Sequence, residues 1–308
     1  MFHESPAATA DKDVLPGVLG RRILRRTAQG LRNGLRVFLL VLIFLTISCR
    51  GVGVIQVSEF PEQGRSLPGT ITVAIWNAHK FHDPQFSTDL QILMDWQKPD
   101  IIFLQEARAD RLKMEEIGGY FANSWSYPWP GGVTIGVMTL SKVSPGEVKP
   151  MQSKYREFWV TAPKTSLITE HPLSNGETLL AVNVHLLVFE RWGVLKLRSQ
   201  LDELQSIMEQ HSGPILMAGD FNTWNEKRLV LVQELVEDVQ LTEVTDFPPG
   251  RTTGDQDSGC LNWLFGIEKD IPLDRVYYRG FTNHSAQVLP YDSSDHKPIL
   301  VTLTFQSS

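Results

Sequence analysis

Two cysteines, Cys49 and Cys260, are all that 308 residues contain, too few for a disulfide framework. No CxxC pair and no Cys/His cluster marks a structural zinc site. No period repeats along the chain, which sets aside architectures of stacked units. Long apolar runs are missing too. The run near the N-terminus covers residues 37–47, about 11 residues, whereas roughly 20 are needed to cross ~30 Å of hydrocarbon unaided. Positive charge is scarce where a grip on nucleic acid would need it. Residues 1–69 hold nine Lys+Arg against five Asp+Glu, leaving 20 against 30 in residues 70–308, a net −10. So acidic a body gains little from counterion release, which argues against tight non-specific binding of DNA or RNA. A nuclease that holds phosphate chiefly through a metal stays open.

What is present divides the chain. Residues 1–36 read as a disordered basic N-terminus, with Arg21, Arg22, Arg25, Arg26, Arg32 and Arg36 crowded toward its end. Residues 37–49 read as an apolar signal or anchor segment, 50–69 as a Gly/Pro-rich linker, and 70–308 as the folded body. Basic residues, an apolar run and then Ser48-Cys49 resemble a bacterial lipoprotein signal, in which that cysteine is lipidated. The rival readings are an uncleaved anchor stretched across Arg50, which would place a charge in the bilayer, and a buried helix of a soluble protein. Both anchored readings leave the Arg cluster in the cytoplasm. They put the body on the extracytoplasmic side of a bacterial inner or outer membrane; the alternative is a cytoplasmic protein.

In the body, short β-branched runs predict strands at 71–76, 101–104, 132–140, 165–169, 178–184, 215–218, 273–278 and 299–305. Helices are predicted at 89–97, 195–210 and 224–238. In the second of these, Leu197, Leu201, Leu204 and Met208 form one apolar stripe that Gly213-Pro214 ends. Many strands with few helices imply two packed sheets with helices outside.

Polar residues of one chemical kind fall at the ends of these strands. They are Asn77, Glu106, His185, Asp220 with Asn222, Asp274, and Asp295-His296. Taken singly, each has a bland reading as a turn residue, a cap or a satisfied histidine. Together they are the parts for attack on a phosphate ester. A hard divalent cation held by oxygen ligands stabilises charge on the phosphoryl group, and Glu106 is the best ligand candidate. A carboxylate-oriented imidazole serves as base near neutral pH.

The motifs Trp76-Asn77, Leu104-Gln105-Glu106, Asn183-Val184-His185-Leu186, Gly219-Asp220-Phe221-Asn222, Leu273-Asp274-Arg275-Val276 and Ser294-Asp295-His296-Lys297-Pro298 occur in that order. This resembles the endonuclease/exonuclease/phosphatase superfamily, which contains pancreatic-type DNases, abasic-site endonucleases, neutral sphingomyelinases and inositol polyphosphate 5-phosphatases. Within it the chain is most similar to small uncharacterised bacterial members. The resemblance spans about 71–305 and implies a DNase-like four-layer α/β/β/α sandwich, with residues 70–308 as its catalytic domain. It implies Mg²⁺ or Mn²⁺ on Glu106 with Asn77 and Asp295 close by. Asp220 would position or activate water, and Asn222 would bond the phosphoryl oxygens. His296, oriented by Asp274, would act as base or transition-state stabiliser, and His185 would protonate the leaving group. Arg156, in a stretch with Lys164 that loosely resembles a phosphate-contacting segment, is the substrate-binding candidate; Phe158 departs from the usual proline there.

The expected activity is hydrolysis of a phosphodiester, with a phosphomonoester or an inactive membrane-tethered binding module as alternatives. The expected partners are the phosphate-ester substrate (nucleic acid, phospholipid or small diester) and a membrane, with no protein partner. Two segments are candidates for substrate contact: the aromatic run 125–132 and residues 188–192, which follow His185.

Overall fold

The computed structural model describes residues 33–36, 53–60, 66–111, 117–126, 134–156, 163–188, 190, 194–247 and 272–306. The chain forms two units, Met1–Arg50 and Gly51–Ser308. In the first, residues 33–36 are helical; the apolar run 37–47 and Cys49 lie outside the described residues, as does Cys260. Among the described residues no helix is long and apolar enough to cross a membrane.

The second unit runs β1 (Val54–Ser58), β2 (Thr70–Asn77), α1 (Phe86–Gln97), β3 (Ile101–Arg108), β4 (Gly118–Ser126), β5 (Thr134–Ser141), β6 (Glu147–Arg156) and β7 (Pro163–Pro172). It continues β8 (Thr178–His185), α2 (Leu195–Glu209), β9 (Ile215–Asp220), α3 (Glu226–Asp238), β10 (Thr242–Glu243), β11 (Asp274–Arg279), β12 (Phe281–Val288) and β13 (Ile299–Phe305). One sheet has the order β1-β4-β5-β3-β2-β13-β12, the other β10-β11-β9-β8-β7-β6. Pairing is antiparallel except for β2 with β3 and β8 with β9. Each parallel pair needs a crossover, and α1 and α2 supply them.

Alternation along the strands explains the layers. On β2, Ile71, Val73 and Ile75 join Phe103, Ala181, Ala218, Val276 and Val301 in a core between the sheets. The opposite face of β2 and β3, with Ala74, Trp76, Ile102 and Leu104, packs on Phe86, Leu90 and Leu93 of α1. On the second sheet, Ile168, Leu180, Val182 and Met217 pack on Leu197, Leu201, Leu204 and Met208 of α2 and on Leu231, Val232 and Leu235 of α3. The result is helix, sheet, sheet, helix. Each such leucine contributes about 1.5–3 kcal/mol relative to exposure, so the buried stripe of α2 holds it to the sheet.

Helix ends follow local chemistry. Asn225 caps α3 by accepting the Arg228 N–H at 3.0 Å. At the C-terminus of α1, Lys98 adopts φ 47° ahead of Pro99, which cannot continue the helix. The predicted helices and central strands appear with ends moved by a few residues. Two expectations need correcting. Part of the expected linker is structured: Val54–Ser58 pairs with β4, and Leu67, fully buried, bridges Leu173. The polar strands β1, β4, β6, β10 and β12 were not predicted, because edge and near-edge strands lack the apolar runs that mark buried ones.

Candidate functional site

The carboxyl ends of the two parallel pairs meet at one end of the sandwich. Asn77 ends β2, and His185 and Asp220 end β8 and β9 opposite each other. Asp274 lies across from Asp220 at the start of the antiparallel β11, not at a strand's carboxyl end. Glu106 differs from its expected place in another way. It sits inside β3, where the ladder to β5 slips between Leu104 and Ala107 and the backbone takes φ 47°. The bulge turns this side chain toward the second sheet's residues instead of letting it follow the pleat.

The fit at the base is tight. Gly219 holds φ 141°, and a Cβ there would meet Val184 O at 2.1 Å, so only glycine lets β9 approach β8 just before Asp220. Beneath the site, Gln105 Nε2 donates to Asn183 Oδ1 at 2.7 Å, and Asn183 Nδ2 donates to Met138 O at 2.9 Å. Both amides are fully buried and tie the two sheets together.

Hydrogen bonds then join the motifs. Asn77 Nδ2 donates to Asp220 Oδ2 at 2.9 Å, while Asp220 Oδ1 accepts the Asn222 N–H at 2.9 Å. His296 Nδ1 and Asp274 Oδ2 are 2.7 Å apart. Trp76 Nε1 donates to His296 O at 2.7 Å, and Ser294 Oγ donates to Asn77 O at 2.6 Å, locking the last loop onto β2. Asn222 takes φ 50° and donates Nδ2–H to Leu186 O at 3.0 Å; beneath it the buried Arg228 donates to the carbonyls of Asn222 and Leu187.

Charge is distributed unevenly over this network. His185 Nε2 lies 3.7 Å from Asp220 Oδ2, 3.9 Å from Glu106 Oε1 and 2.9 Å from Lys164 Nζ. Lys80 Nζ lies 2.7 Å from Glu106 Oε2. Burial pushes the Glu106 carboxyl up, but Lys164, His185 and Lys80 together bring it down to about 2. Burial and then Lys164 hold His185 well below its usual range, as a neutral imidazole. Burial raises Asp220 to about 6. Burial opposes the charge on His296, yet Asp274 overrides it and pushes the ring up to about 10.

Eight of the nine predicted site residues, Asn77, Glu106, His185, Asp220, Asn222, Asp274, Asp295 and His296, thus fall in one contact network. Asp295 joins it through His79, 3.4 Å from its Oδ1, whose N–H donates to Asn77 Oδ1 at 3.0 Å. Arg156 ends β6 opposite Pro163, next to Lys164, and its carbonyl accepts from Lys196 Nζ at 2.6 Å. Of the segment 188–192, Glu190 accepts the N–H groups of Lys196 and Leu197 at the start of α2, and Val188 O accepts Trp224 Nε1 at 2.7 Å. These are structural bonds. Residues 127–132 of the aromatic run lie outside the described residues.

Two clusters bear on cation binding. One oxygen or nitrogen each from Asp220, Asp274 and His296 lie within 4.8 Å of one another, all buried, but the proton that Asp274 holds on His296 occupies the lone pair a metal would need. The other is Glu106, ionised and 18% exposed, with Lys80 on one carboxylate oxygen and His185 3.9 Å from the other. The ammonium of Lys80 on Glu106 Oε2 shows that this carboxylate accepts a cation from the open side. A hard, partly exposed carboxylate oxygen is the donor that Mg²⁺ takes, so Glu106 fits such an ion.

Residues 74–296 match the model of the Endonuclease/Exonuclease/phosphatase family. The chain belongs to that family. Among curated proteins it is 32% identical to a UPF0294 protein of Vibrio parahaemolyticus over 238 residues, 77% of this chain and 78% of that one. Among solved structures it resembles a family protein from Leptotrichia buccalis with TM-score 0.57 and 13% identity, covering 76% of this chain and all of that one. It also resembles the 3′ phosphatase NExo from Neisseria, bound to product DNA hairpin, with TM-score 0.51 and 18% identity, covering 77% of this chain and 100% of that one. At these identities the two structures speak to the fold alone.

The sequence reading missed Lys80, His79 and Arg228, and gave Lys164 and Gln105 no role of their own. Only Lys80 and His79 left a trace, as basic residues directly after the Asn77 motif. The others depend on pairings between distant segments.

Proposed function

We propose that this family member hydrolyses a phosphodiester with Mg²⁺ or Mn²⁺ bound at Glu106, Asn77 and Asp295. The observation that carries the reading is the pairing of an ionised, partly exposed Glu106 with a buried, carboxylate-held His296 across a network only a few side chains wide. A divalent cation bound there would supply Lewis-acid stabilisation of the negative charge on the phosphoryl oxygens. Water adds to phosphorus as the ester P–O bond breaks. Asp220, with its carboxyl near 6, accepts the water's proton. His296, kept positive by Asp274, stabilises the crowded charge, which favours the stabiliser role over that of base. The neutral His185 and the Lys164 ammonium, 2.9 Å apart, deliver a proton to the departing oxygen. Asn222 orients the phosphoryl group.

A net −10 on the body and no Lys/Arg-rich insertion favour a phospholipid or small diester over duplex DNA. A phosphomonoester is the alternative substrate class, since the same fold also serves a 3′ phosphatase. Lipidation at Cys49 would hold the body at an extracytoplasmic membrane surface, and palmitate-analogue labelling that Cys49→Ser abolishes tests it. An inactive binding module fits poorly with intact Glu106 and His296.

The test is turnover of bis-p-nitrophenyl phosphate, sphingomyelin, inositol phosphates and plasmid DNA with Mg²⁺, Mn²⁺ or EDTA. We expect turnover of one diester, abolished by EDTA and lowered roughly 10²-fold or more by Glu106→Gln. Equal turnover by wild type and Glu106→Gln overturns the reading.

A further inference from the structure

The turn between β2 and α1 holds three successive non-glycine residues in the left-handed region, His79 at φ 41°, Lys80 at 60° and Phe81 at 56°. Among the described residues the other positive-φ side chains are isolated, and Glu106 and Asn222 of the same site are two of them. Such backbone persists only where its surroundings over-determine it, and it concentrates at functional sites. Here the His79 N–H is held by Asn77 Oδ1 at 3.0 Å and the Phe81 N–H by Ala78 O at 2.8 Å. The Phe81 ring is buried against Phe86, centroids 4.6 Å apart. Pinned at both ends, the turn points its two basic side chains at two carboxylates, His79 at Asp295 and Lys80 at Glu106.

Stability does not explain the arrangement. Lys80 is 44% exposed, and an ion pair that open contributes little to folding, whereas the backbone that creates it is strained. The bond also falls on the carboxylate our functional reading assigns to the cation. An ammonium is a compact charge with three donors on a flexible stem, so it leaves one partner for another easily.

We propose that Lys80 is a resident cation of the site. It competes with the divalent ion for Glu106 and, once displaced, bonds the non-bridging oxygens of the phosphoryl group. The proposal rests on the metal-dependent reading and extends it. Lys80 keeps Glu106 neutralised when the divalent ion leaves. On its return the same ammonium is pushed off a carboxylate shared with a doubly charged neighbour, and an incoming phosphate beside that ion offers it a new anionic partner. Lys164, on the far side of Glu106 beside His185, stays in place.

The experiment reads Lys80 directly. Full-length protein is acetylated with an N-hydroxysuccinimide ester, and the rate at Lys80 is followed by peptide mass spectrometry, alone, with Mg²⁺, and with Mg²⁺ plus inorganic phosphate. In parallel, Mn²⁺ affinity is measured without substrate for wild type, Lys80→Met and Lys80→Arg. Lys80 should react about threefold or more faster with Mg²⁺ and slow again when phosphate is added. Lys80→Met should bind Mn²⁺ about fivefold tighter, matching loss of a part-exposed competitor, with Lys80→Arg near wild type. With the diester, Lys80→Met should raise KM about tenfold and leave kcat within about threefold, as a lost ground-state contact does. Mn²⁺ binding by wild type with Lys80 reactivity unchanged by Mg²⁺ overturns the proposal alone. Wild type that binds no Mn²⁺ overturns the metal-dependent reading and this proposal with it.

Discussion

Two buried imidazoles at different places in the sandwich differ in charge, one held positive and one neutral. His296 lies at the mouth, 2.7 Å from Asp274, and is pushed up to about 10. His171 lies toward the other end, opposite Leu179 at the start of β8, and burial pulls it down to about 4. Its ring nitrogens meet hydroxyls, Thr169 Oγ1 at 2.9 Å and Ser141 Oγ at 3.4 Å, one from each sheet. Desolvation acts on both rings in the same direction, and only a carboxylate reverses it. Burial therefore leaves His171 a structural dipole, and the hydrogen-bonded Asp274 makes His296 a cation. Carboxylates 3.7 and 3.9 Å from His185 do not do the same, because burial and the Lys164 ammonium beside that ring oppose them. The two sites differ in partners, not in depth.

The comparison breaks most sharply at His296. If its positive charge faces the phosphoryl group, His296→Ala should lower kcat roughly 10³-fold or more, and it should also lower the thermal midpoint because the buried Asp274 carboxylate loses its partner. Steady-state kinetics beside a melting curve would check this; a loss below tenfold would remove His296 from the chemistry. Asp274→Asn keeps the shape and takes away the charge that holds the ring protonated. It should cost about 10²-fold in kcat, with KM little altered, read in the same assay.

The smallest effect on turnover lies at His171. Its folded value is near 4 and its unfolded value near 6.5. Between them the unfolded chain binds a proton that the folded chain does not, so stability falls as pH falls through that window. Its full contribution is present above about pH 6.5, and about 3 kcal/mol is lost on reaching pH 4. Urea unfolding at pH 7 and pH 4.5 should show His171→Gln losing less stability on acidification than wild type, with kcat at neutral pH within about twofold. Parallel losses in the two proteins would contradict the assignment.

How much of this was legible beforehand follows from burial. The central strands β2, β3, β8, β9 and β13 are covered on one or both faces, so their sequences are apolar runs. Polar site residues end β2, β8 and β9, one lies near the end of β3, and two precede β13. The strands that escaped notice, such as β6 (EVKPMQSKYR) and β12 (FTNHSAQV), lie at sheet edges, where solvent and charge replace the apolar pattern. At the site, residue types and order pointed to Asn77, Glu106, Asp220 and His296. The neighbours that set their charge, Lys80 and Lys164, could not be chosen among the other lysines. Arg156 was named on the loose resemblance of its stretch to a phosphate-contacting segment, and the structure puts it at the end of β6 opposite Pro163, beside Lys164.

By itself the sequence determined the two-sheet class, the strand ends that carry chemistry and the family pattern, because alternation and residue type are local properties. Tertiary structure decided which carboxylate is ionised, which imidazole is charged, and that a strained turn brings Lys80 onto Glu106. Those depend on distances between segments far apart in the chain, and electrostatic energy changes steeply with distance and burial.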